Sequence, residues 1–563
     1  MKTLFTLWVG MASFASVFAQ NTDLLTRHQE VMNHPYVEVD RSTMLRSPAY
    51  NLDVDGIMTR QVNVDANGNN IVGDAANEPS IAIDPTNPNR MVIGWRQFNT
   101  ITSDFRQAGY GYSTDGGETW TFPGVLDPGV FRSDPVLDFD AEGNFYYNSL
   151  TVDTATSSDF NCAVFKSTDG GANWGVPVPA RGGDKAWMAI DKTNGIGAGH
   201  IYSQWNFAFS ECQNENFTRS INGGDSFEDC SVVPNFPLFG TLAVDGEGDL
   251  YQAGFQFGYM VQKSTTAKDP NSQVTWEDPF VSVPLGGSLP GSGPNPGGLL
   301  GQIWVDTDNS TGPHAGNVYV LATVENNALG DPADVMFSKS TDGGQTFSQG
   351  FRLNTDLGNE AYQWFGTLSV APNGRIDVVW LDTRDDPVNH SISVLYYCFS
   401  EDGGDTWSPN TPISQPFDPK IGYPIQEKIG DYYDMVSDNE FAHLAWANTF
   451  TGGQDVYYTR ISPGNILNVA ENPSFDQTLR MYPNPVVGKS LITFQLNETM
   501  DVKLEVFDIY GKRVSKLLDG QANLTTTVPW SGTDKDGNPL ASGVYFIRLT
   551  SSQGQYSIKA IVK

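Results

Sequence analysis

One short phrase recurs five times in this chain of 563 residues. It reads Ser-Thr-Asp-Gly-Gly-Glu-Thr-Trp from Ser113 to Trp120 and Ser-Thr-Asp-Gly-Gly-Ala-Asn-Trp from Ser167 to Trp174. It returns as Ser-Ile-Asn-Gly-Gly-Asp-Ser-Phe from Ser220 to Phe227, then at Ser340–Phe347 and at Ser400–Trp407. Its chemistry confines it to a turn. The Asp or Asn side chain accepts hydrogen bonds from the backbone of its own turn. The glycines permit positive φ, and the aromatic residue packs back over the hairpin. Asp115, Asp169, Asn222, Asp342 and Asp402 therefore read as structural residues of hairpin tips, not as catalytic groups. The first three copies start 54 and 53 residues apart, a period that signals an array of small, similar units. The next gap is two periods, so a degenerate copy is expected between Ser220 and Ser340. Ser264 to Trp276 fits, with Pro-Asn-Ser inserted where the Asp turn would stand.

A second repeat is independent of the first. A short apolar strand ends in Asp or a turn, and an aromatic-rich strand follows. It occurs at Ser80–Asp84, Pro135–Asp140, Ala186–Asp191, Leu242–Asp245, Gln302–Asp306, Leu368–Pro372 and Tyr432–Val436. Seven innermost strands are thus expected. The seventh unit has strands at Phe441–Asn448 and Asp455–Ile461 but no fourth strand of its own. A segment near Gln61–Val64 or Asn70–Val72 is expected to supply it, closing the ring and hiding the free strand edges.

The repeated phrase resembles the Asp-box, or BNR repeat, of sialidases and related β-propellers. The resemblance implies an all-β fold: a seven-bladed β-propeller over residues 61–461, with six blades as the alternative, preceded by an extension over 20–60. It also implies that the Asp-boxes lie between the third and fourth strands of each blade and that function sits on the opposite face. Loops there include Asn77-Glu78-Pro79, Trp95-Arg96-Gln97, Arg132-Ser133-Asp134, Asp184-Lys185 and Glu427–Tyr433. A sialidase clamps its substrate carboxylate with three arginines, because guanidinium forks match carboxylate geometry. Arg96, Arg132 and Arg384 are the candidates for substrate binding, with Trp187 and Trp364 available to stack on sugar. Tyr432 as nucleophile, Glu427 as its activator and Asp134 as acid complete the catalytic set that the resemblance implies. The sialidase motif aromatic-Arg-Ile-Pro is absent, and Asn77-Glu-Pro-Ser80 stands in its region. Two function classes follow. One is a sialidase-like exo-glycosidase, or a binder, of extracellular glycan or glycoprotein. The other is a non-catalytic adhesion or scaffold propeller that binds protein or polysaccharide.

Charge narrows the partners. The formal net charge is −32, yet residues 474–563 carry 8 acidic and 10 basic side chains, so the acidity lies ahead of them. A surface this acidic argues against nucleic acid as a partner. Six scattered histidines with no ligand spacing argue against a metal, and no cofactor motif is present.

The two ends carry addresses. Met1–Ala19 has Lys2, an apolar run and Val17-Phe-Ala19, the pattern of a secretory signal peptide. No later apolar run is long enough for a transmembrane segment. Export makes disulfides possible; Cys162 with Cys212 and Cys212 with Cys230 are rival pairings. Residues 462–478 read as linker. Beyond them stand Met481-Tyr-Pro-Asn-Pro485, Gly511-Lys512 and Ser542-Gly-Val-Tyr545. These strongly resemble the type A C-terminal sorting domain of the type IX secretion system over 479–563. That family implies a small Ig-like β-sandwich read by the type IX secretion machinery, and a protein that is secreted or attached to the outer surface. The run Asp534–Asn538 has a faint look of a calcium loop but reads as a hairpin turn.

Overall fold

The computed structural model describes residues 29–30, 34–54, 56–152, 159–291, 293–326, 330–356, 358–386 and 388–466, and, further on, 479–482, 484–486, 488–496, 499–508, 512–523, 525–551 and 554–563. The expected signal peptide and most of the expected linker lie outside these residues. The chain divides into two compact units, Met1–Ile466 and Leu467–Lys563.

The first unit is built of antiparallel sheets. Seven of them begin with the strands Ala75–Ile83, Ser133–Phe139, Trp187–Ile190, Leu242–Val244, Trp304–Thr307, Gln363–Val370 and Asp434–Ser437, and the first six grow outward in chain order. These are the seven repeats expected from the apolar-then-Asp pattern. Each starting strand packs against the next, and the last packs against the first. Together they line a channel of about 930 Å3. We call the face where these strands begin the upper face, and the face where they end the lower.

Side chains tie the sheets together at six of the seven junctions. The hydroxyls of Ser80, Thr241 and Ser369 accept from the amides of Leu137, Val305 and Ser437 at 2.8, 2.9 and 3.0 Å. The carboxyls of Asp138, Asp306 and Asp434 accept from the amides of Ile190, Val370 and Ile81 at 2.8, 2.8 and 3.1 Å. Each bond satisfies an inner-strand amide that would otherwise be buried without a partner. The junction between the seventh sheet and the first is bonded in the same way as the others.

The seventh sheet draws its outer strands from the beginning of the chain. Ile57–Gln61 pairs with Asp455–Ile461, and Asn51–Val54 adds outside it. The joining strand thus lies slightly earlier than expected. Asn69–Val72 pairs instead with Leu45–Pro48, and Val62 and Asn63 bond to Val456 and Asp455 as a continuation of the joining strand.

The five repeated phrases form closed turns on the lower face. In the first, Ser113 donates to Asp115 at 2.8 Å, Gly117 N donates to Ser113 at 3.0 Å, and Thr119 N and Oγ1 donate to Asp115 at 3.0 and 2.6 Å. The serine and backbone-amide bonds recur around Asp169, Asn222, Asp342 and Asp402, and the threonine hydroxyl bond recurs at Asp342 and Asp402. Cys212 and Cys230 are disulfide-bonded, while Cys162 and Cys398 are buried free thiols, so the Cys162–Cys212 pairing is excluded.

The second unit has a three-stranded sheet (Arg480–Tyr482, Ser490–Gln495, Thr525–Trp530) and a four-stranded one (Met500–Asp508, Arg513–Ala522, Gly543–Ser551, Gly554–Val562). Alternation along Met500–Asp508 turns Val502, Leu504 and Val506 inward, where they meet Ile492, Phe494 and Ile547. Asp534 Oδ1 accepts from the amides of Asp536 and Asn538, which makes that run a turn.

Candidate functional site

The upper face is distinguished by its backbone. Two residues before the repeated inner-strand position of every sheet, one residue is left-handed: Glu78, Asp134, Lys185, Phe239, Gly301, Phe365 and Gly430, with φ of 54, 43, 57, 58, 131, 55 and 108°. Five of these seven are not glycine. A non-glycine residue held there costs about 1–3 kcal/mol and persists only where its surroundings over-determine it. In the first three sheets the left-handed residue is charged, and the kink delivers Glu78, Asp134 and Lys185 into one buried cluster.

The centre of that cluster is a carboxylate from outside every sheet. Glu30 is completely buried. Its Oε1 lies 3.3 Å from Arg96 Nη1, 3.2 Å from Lys185 Nζ and 2.5 Å from Lys428 Nζ. Its Oε2 accepts from Arg106 Nη2 and, at 3.2 Å, from Ser133 Oγ. Lys185 Nζ also meets Asp184 at 3.2 Å and Asp431 at 3.1 Å, and Lys428 Nζ meets Asp431 at 2.7 Å. Arg96 reaches Glu78 at 3.3 Å and donates to Asn77 at 2.9 Å.

Burial and charge pull these groups apart in acidity. Burial raises Glu30, but Arg106, Lys428, Lys185 and Arg96 outweigh it and hold the carboxyl well below the usual range. Asp431 is treated alike: burial is overcome by Lys185 and Lys428. Burial wins at Glu78, pushed up to about 8 against the opposition of Arg96, and at Asp184, pushed up to about 7 against Lys185. Five carboxyls (Glu30, Glu78, Asp134, Asp184, Asp431) face four cations (Arg96, Arg106, Lys185, Lys428). Protonation of Glu78 near neutrality brings the cluster close to balance. Carboxylate oxygens of Glu30, Glu78 and Asp431 lie within 4.8 Å of one another, a spacing that suits a cation. Lys185 and Lys428 already supply positive charge to Glu30 and Asp431, and Arg96 supplies it to Glu78, so the set does not fit a metal.

The sequence-derived candidates divide. Arg96 and Asp134 belong to the cluster; Asp134 accepts from Lys185 N and Ser133 Oγ, both at 2.9 Å. Tyr432 lies beside it, its hydroxyl donating to the Pro135 carbonyl at 2.7 Å. Burial, with Glu78 and Asp134 nearby, drives that phenol well above its ordinary value. Its ring packs on Trp187 at 5.3 Å, and Trp187 packs on Trp304 at 5.1 Å, so these aromatics floor the channel beneath the charges. Arg132 and Arg384 do not join. Each takes a local carboxylate, Asp127 at 2.8 Å and Asp382 at 2.6 Å, and lies over a ring, Phe165 and Tyr396 respectively. The expected three-arginine clamp is therefore not assembled. Glu427 is exposed, while Gln426 beside it is the residue that touches Arg96. Trp364 is fully buried, bonded to Ser393 and packed on Phe365, so it is core and not a sugar platform. The sequence reading missed Glu30, Arg106 and Lys428 as site residues. A charged residue shortly before each of several inner strands was the available signal for Lys428, but Glu30 sits in a stretch with no repeat to place it.

No curated protein matches this chain in sequence. Among solved structures, a Dyadobacter fermentans protein of unknown function is 13% identical, with 73% of this chain and 100% of that one covered and a TM-score of 0.42. The phage phi92 endosialidase is 9% identical, with 90% and 88% covered and a TM-score of 0.41. PorZ, a surface component of the type IX secretion system of Porphyromonas gingivalis, is 13% identical, with 90% and 73% covered and a TM-score of 0.28. No helix among the described residues is long and apolar enough to cross a membrane. Residues 480–563 match the secretion system C-terminal sorting domain, and with that tail the chain belongs among the proteins sent to the cell surface or the extracellular space.

Proposed function

We propose that the first unit is a closed seven-bladed β-propeller, that the tail is an Ig-like sandwich recognised by the type IX machinery, and that the exported protein binds extracellular glycan at its upper face without cleaving it. The carrying observation is the state of Tyr432. A nucleophilic phenol needs a carboxylate to take its proton. Here the proton is held by the Pro135 carbonyl, and the expected activator Glu427 is exposed. The cyclic contacts and the bonded junction between the seventh and first sheets support the blade count.

The channel of about 930 Å3 is lined chiefly at the lower end of the inner strands, where Asp138, Asp306 and Asp434 accept from backbone amides.

A glycan array paired with a hydrolysis screen of the purified protein tests the reading. Retention of glycan with no released sugar is expected; turnover of any glycoside would refute it, and an array with no retained glycan would favour a protein-binding scaffold. Removing Met481–Lys563 is expected to leave the first unit folded but confined to the periplasm, as cell fractionation would show.

A further inference from the structure

We infer that the central channel is a second binding site, entered from the lower face, and that its ligand is an amphiphilic cation: an amine on an aliphatic or aromatic body that enters body-first. The inference does not depend on the glycan reading of the upper face.

The channel is a blind pocket. Trp187 and Trp304 stand at the upper ends of their inner strands, with ring centroids 5.1 Å apart, and Tyr432 packs on Trp187 at 5.3 Å. These rings stopper the tube beneath the ion cluster. Residues two apart on a strand share a face. Two residues below Trp187, Trp304, Leu368 and Asp434 stand Ala189, Asp306, Val370 and Val436. Three of these four are small and apolar, so the tube widens below its stopper. The space of about 930 Å3 lies within the ~300–1,000 Å3 of small-molecule sites. Ile83, Leu137, Leu242 and Met435 extend the apolar wall. An apolar body that displaces water from such a wall gains free energy.

The wall also has a sign. It carries the carboxyls of Asp84, Asp138, Asp306, Asp434 and Asp438, and among the described lining residues Lys192 is the one cation. Lys192 pairs with Asp138 at 2.7 Å. From outside the wall, Arg90 reaches Asp84 at 3.6 Å and His443 reaches Asp438 at 3.1 Å. Asp306 and Asp434 accept from backbone amides, and burial pushes them up to about 6 and about 7. A ligand cation would favour their charged forms. An acidic mouth with low-dielectric walls focuses its field, drawing cations in and turning anions away.

Asp438 is the anchor this geometry offers an ammonium group. Its side chain is 33% exposed. Burial opposes its charge, but His443 and the amides of Phe441 and Glu440 hold it down to about 2, so it stays ionised. It ends the inner strand of the seventh sheet at the lower face, and an amine seated there leaves its body pointing up toward Trp187 and Trp304.

Three probes of one shape test this on the full chain: phenylbutylamine, phenylbutanol and phenylbutyrate, by calorimetry. The amine should bind about tenfold more tightly than the alcohol, and the carboxylate more weakly than either. No binding of the amine, or equal binding of amine and alcohol, overturns the inference. Asp438→Asn keeps an acceptor for the Phe441 and Glu440 amides; it should weaken the amine about fivefold and leave the alcohol unchanged. Val370→Phe fills the tube and should abolish binding of both. If Val370→Phe melts well below the parent, Val436→Phe serves in its place. Amine binding that survives both Asp438→Asn and a folded plug variant lies elsewhere on the protein and overturns the channel site. A glycan array read on the same plug variant keeps the two faces apart, because retained glycan there is expected whether or not the amine binds.

Discussion

At the lower end of the channel the acidic side chains serve the backbone; at the upper end they serve one another. Asp138, Asp306 and Asp434 each take an amide of the adjoining sheet, and Asp138 also pairs with Lys192 at 2.7 Å. Glu30, Asp184 and Asp431 are held by lysine and arginine side chains, and those cations are shared among several acids. A carboxyl that accepts from an amide works whether or not it is ionised. A network of buried ions works only while its charges balance. The lower end should therefore tolerate changes that the upper end does not.

Lys185 offers the largest effect. Its ammonium group is buried against Glu30, Asp184 and Asp431. Lys185→Met leaves those carboxyls short of a cation, and breaking a buried pair costs about 3–5 kcal/mol. A loss above 3 kcal/mol is expected in urea unfolding. A loss under about 1 kcal/mol would mean that the upper ions are not coupled as described.

Asp434 comes next. Asp434→Ala removes the acceptor for Ser80 Oγ and Ile81 N at the junction between the last sheet and the first. An unsatisfied buried donor costs about 1–3 kcal/mol, and a fall of about 2 kcal/mol is expected in the same measurement. Asp434→Asn keeps a carbonyl acceptor. Because burial pushes Asp434 up to about 7, the Asn variant should match the parent most closely in mildly acidic buffer. If Asn is as damaging as Ala, the amide bond is not what closes the junction.

Glu78 is the most strongly raised of the carboxyls at the upper end. Burial raises it to about 8, so from the ordinary carboxylate value upward the unfolded chain has lost a proton that the folded chain keeps. Stability should thus fall as pH rises from about 5 to 8, with Asp184 at the upper end and Asp434 and Asp306 at the lower end adding to the trend. Glu30 and Asp431 are shifted the other way and act below that window. Glu78→Gln should flatten the slope, narrowing the pH 5 to 8 difference by on the order of 2 kcal/mol. Thermal melts across pH read this directly, and an unchanged slope would place the titration elsewhere.

The two ends also differed in how much could be read from the sequence. Lower-end features are local. Asp115 bonds within five residues of itself, and the apolar run before Asp84 or Asp140 has the length and composition of a strand, so all seven starting strands were legible. The joining strand was misplaced by a few residues because its register with Asp455–Ile461 is set across nearly the whole chain. At the upper end, Arg96 and Asp134 were found from their loops, but no spacing distinguishes an arginine aimed at the axis from Arg132 or Arg384, which fold back on carboxylates two to five residues away. Glu78 and Glu427 have the same backbone φ of 54°, yet one is buried and the other exposed. Sequence patterns report periodicity; Glu30 meets its partners from 66 to 398 residues away, with no period at all.

The smallest effect belongs to the exposed turns. The Thr346 hydroxyl at 2.6 Å is the main cause that holds Asp342 down to about 2, against the opposition of burial; Ser340 and the Thr346 amide assist. A depressed carboxyl contributes stability above its unfolded value, and the contribution disappears as pH falls toward about 2. The chain already contains a test of what the charge is worth. Asn222 occupies the equivalent position, accepts from Ser226 N at 3.0 Å and donates to Ser226 Oγ at 2.8 Å. The turn therefore needs an acceptor, not a negative charge. Asp342→Asn should change stability by less than about 0.5 kcal/mol and remove this turn's acid sensitivity. Asp342→Ala, which loses the acceptor, should cost about 1 kcal/mol. Neither should alter binding at the upper face. If Asp342→Asn proved as costly as a change in the buried cluster, the contrast between exposed turns that need only acceptors and a core that needs balanced ions would not hold.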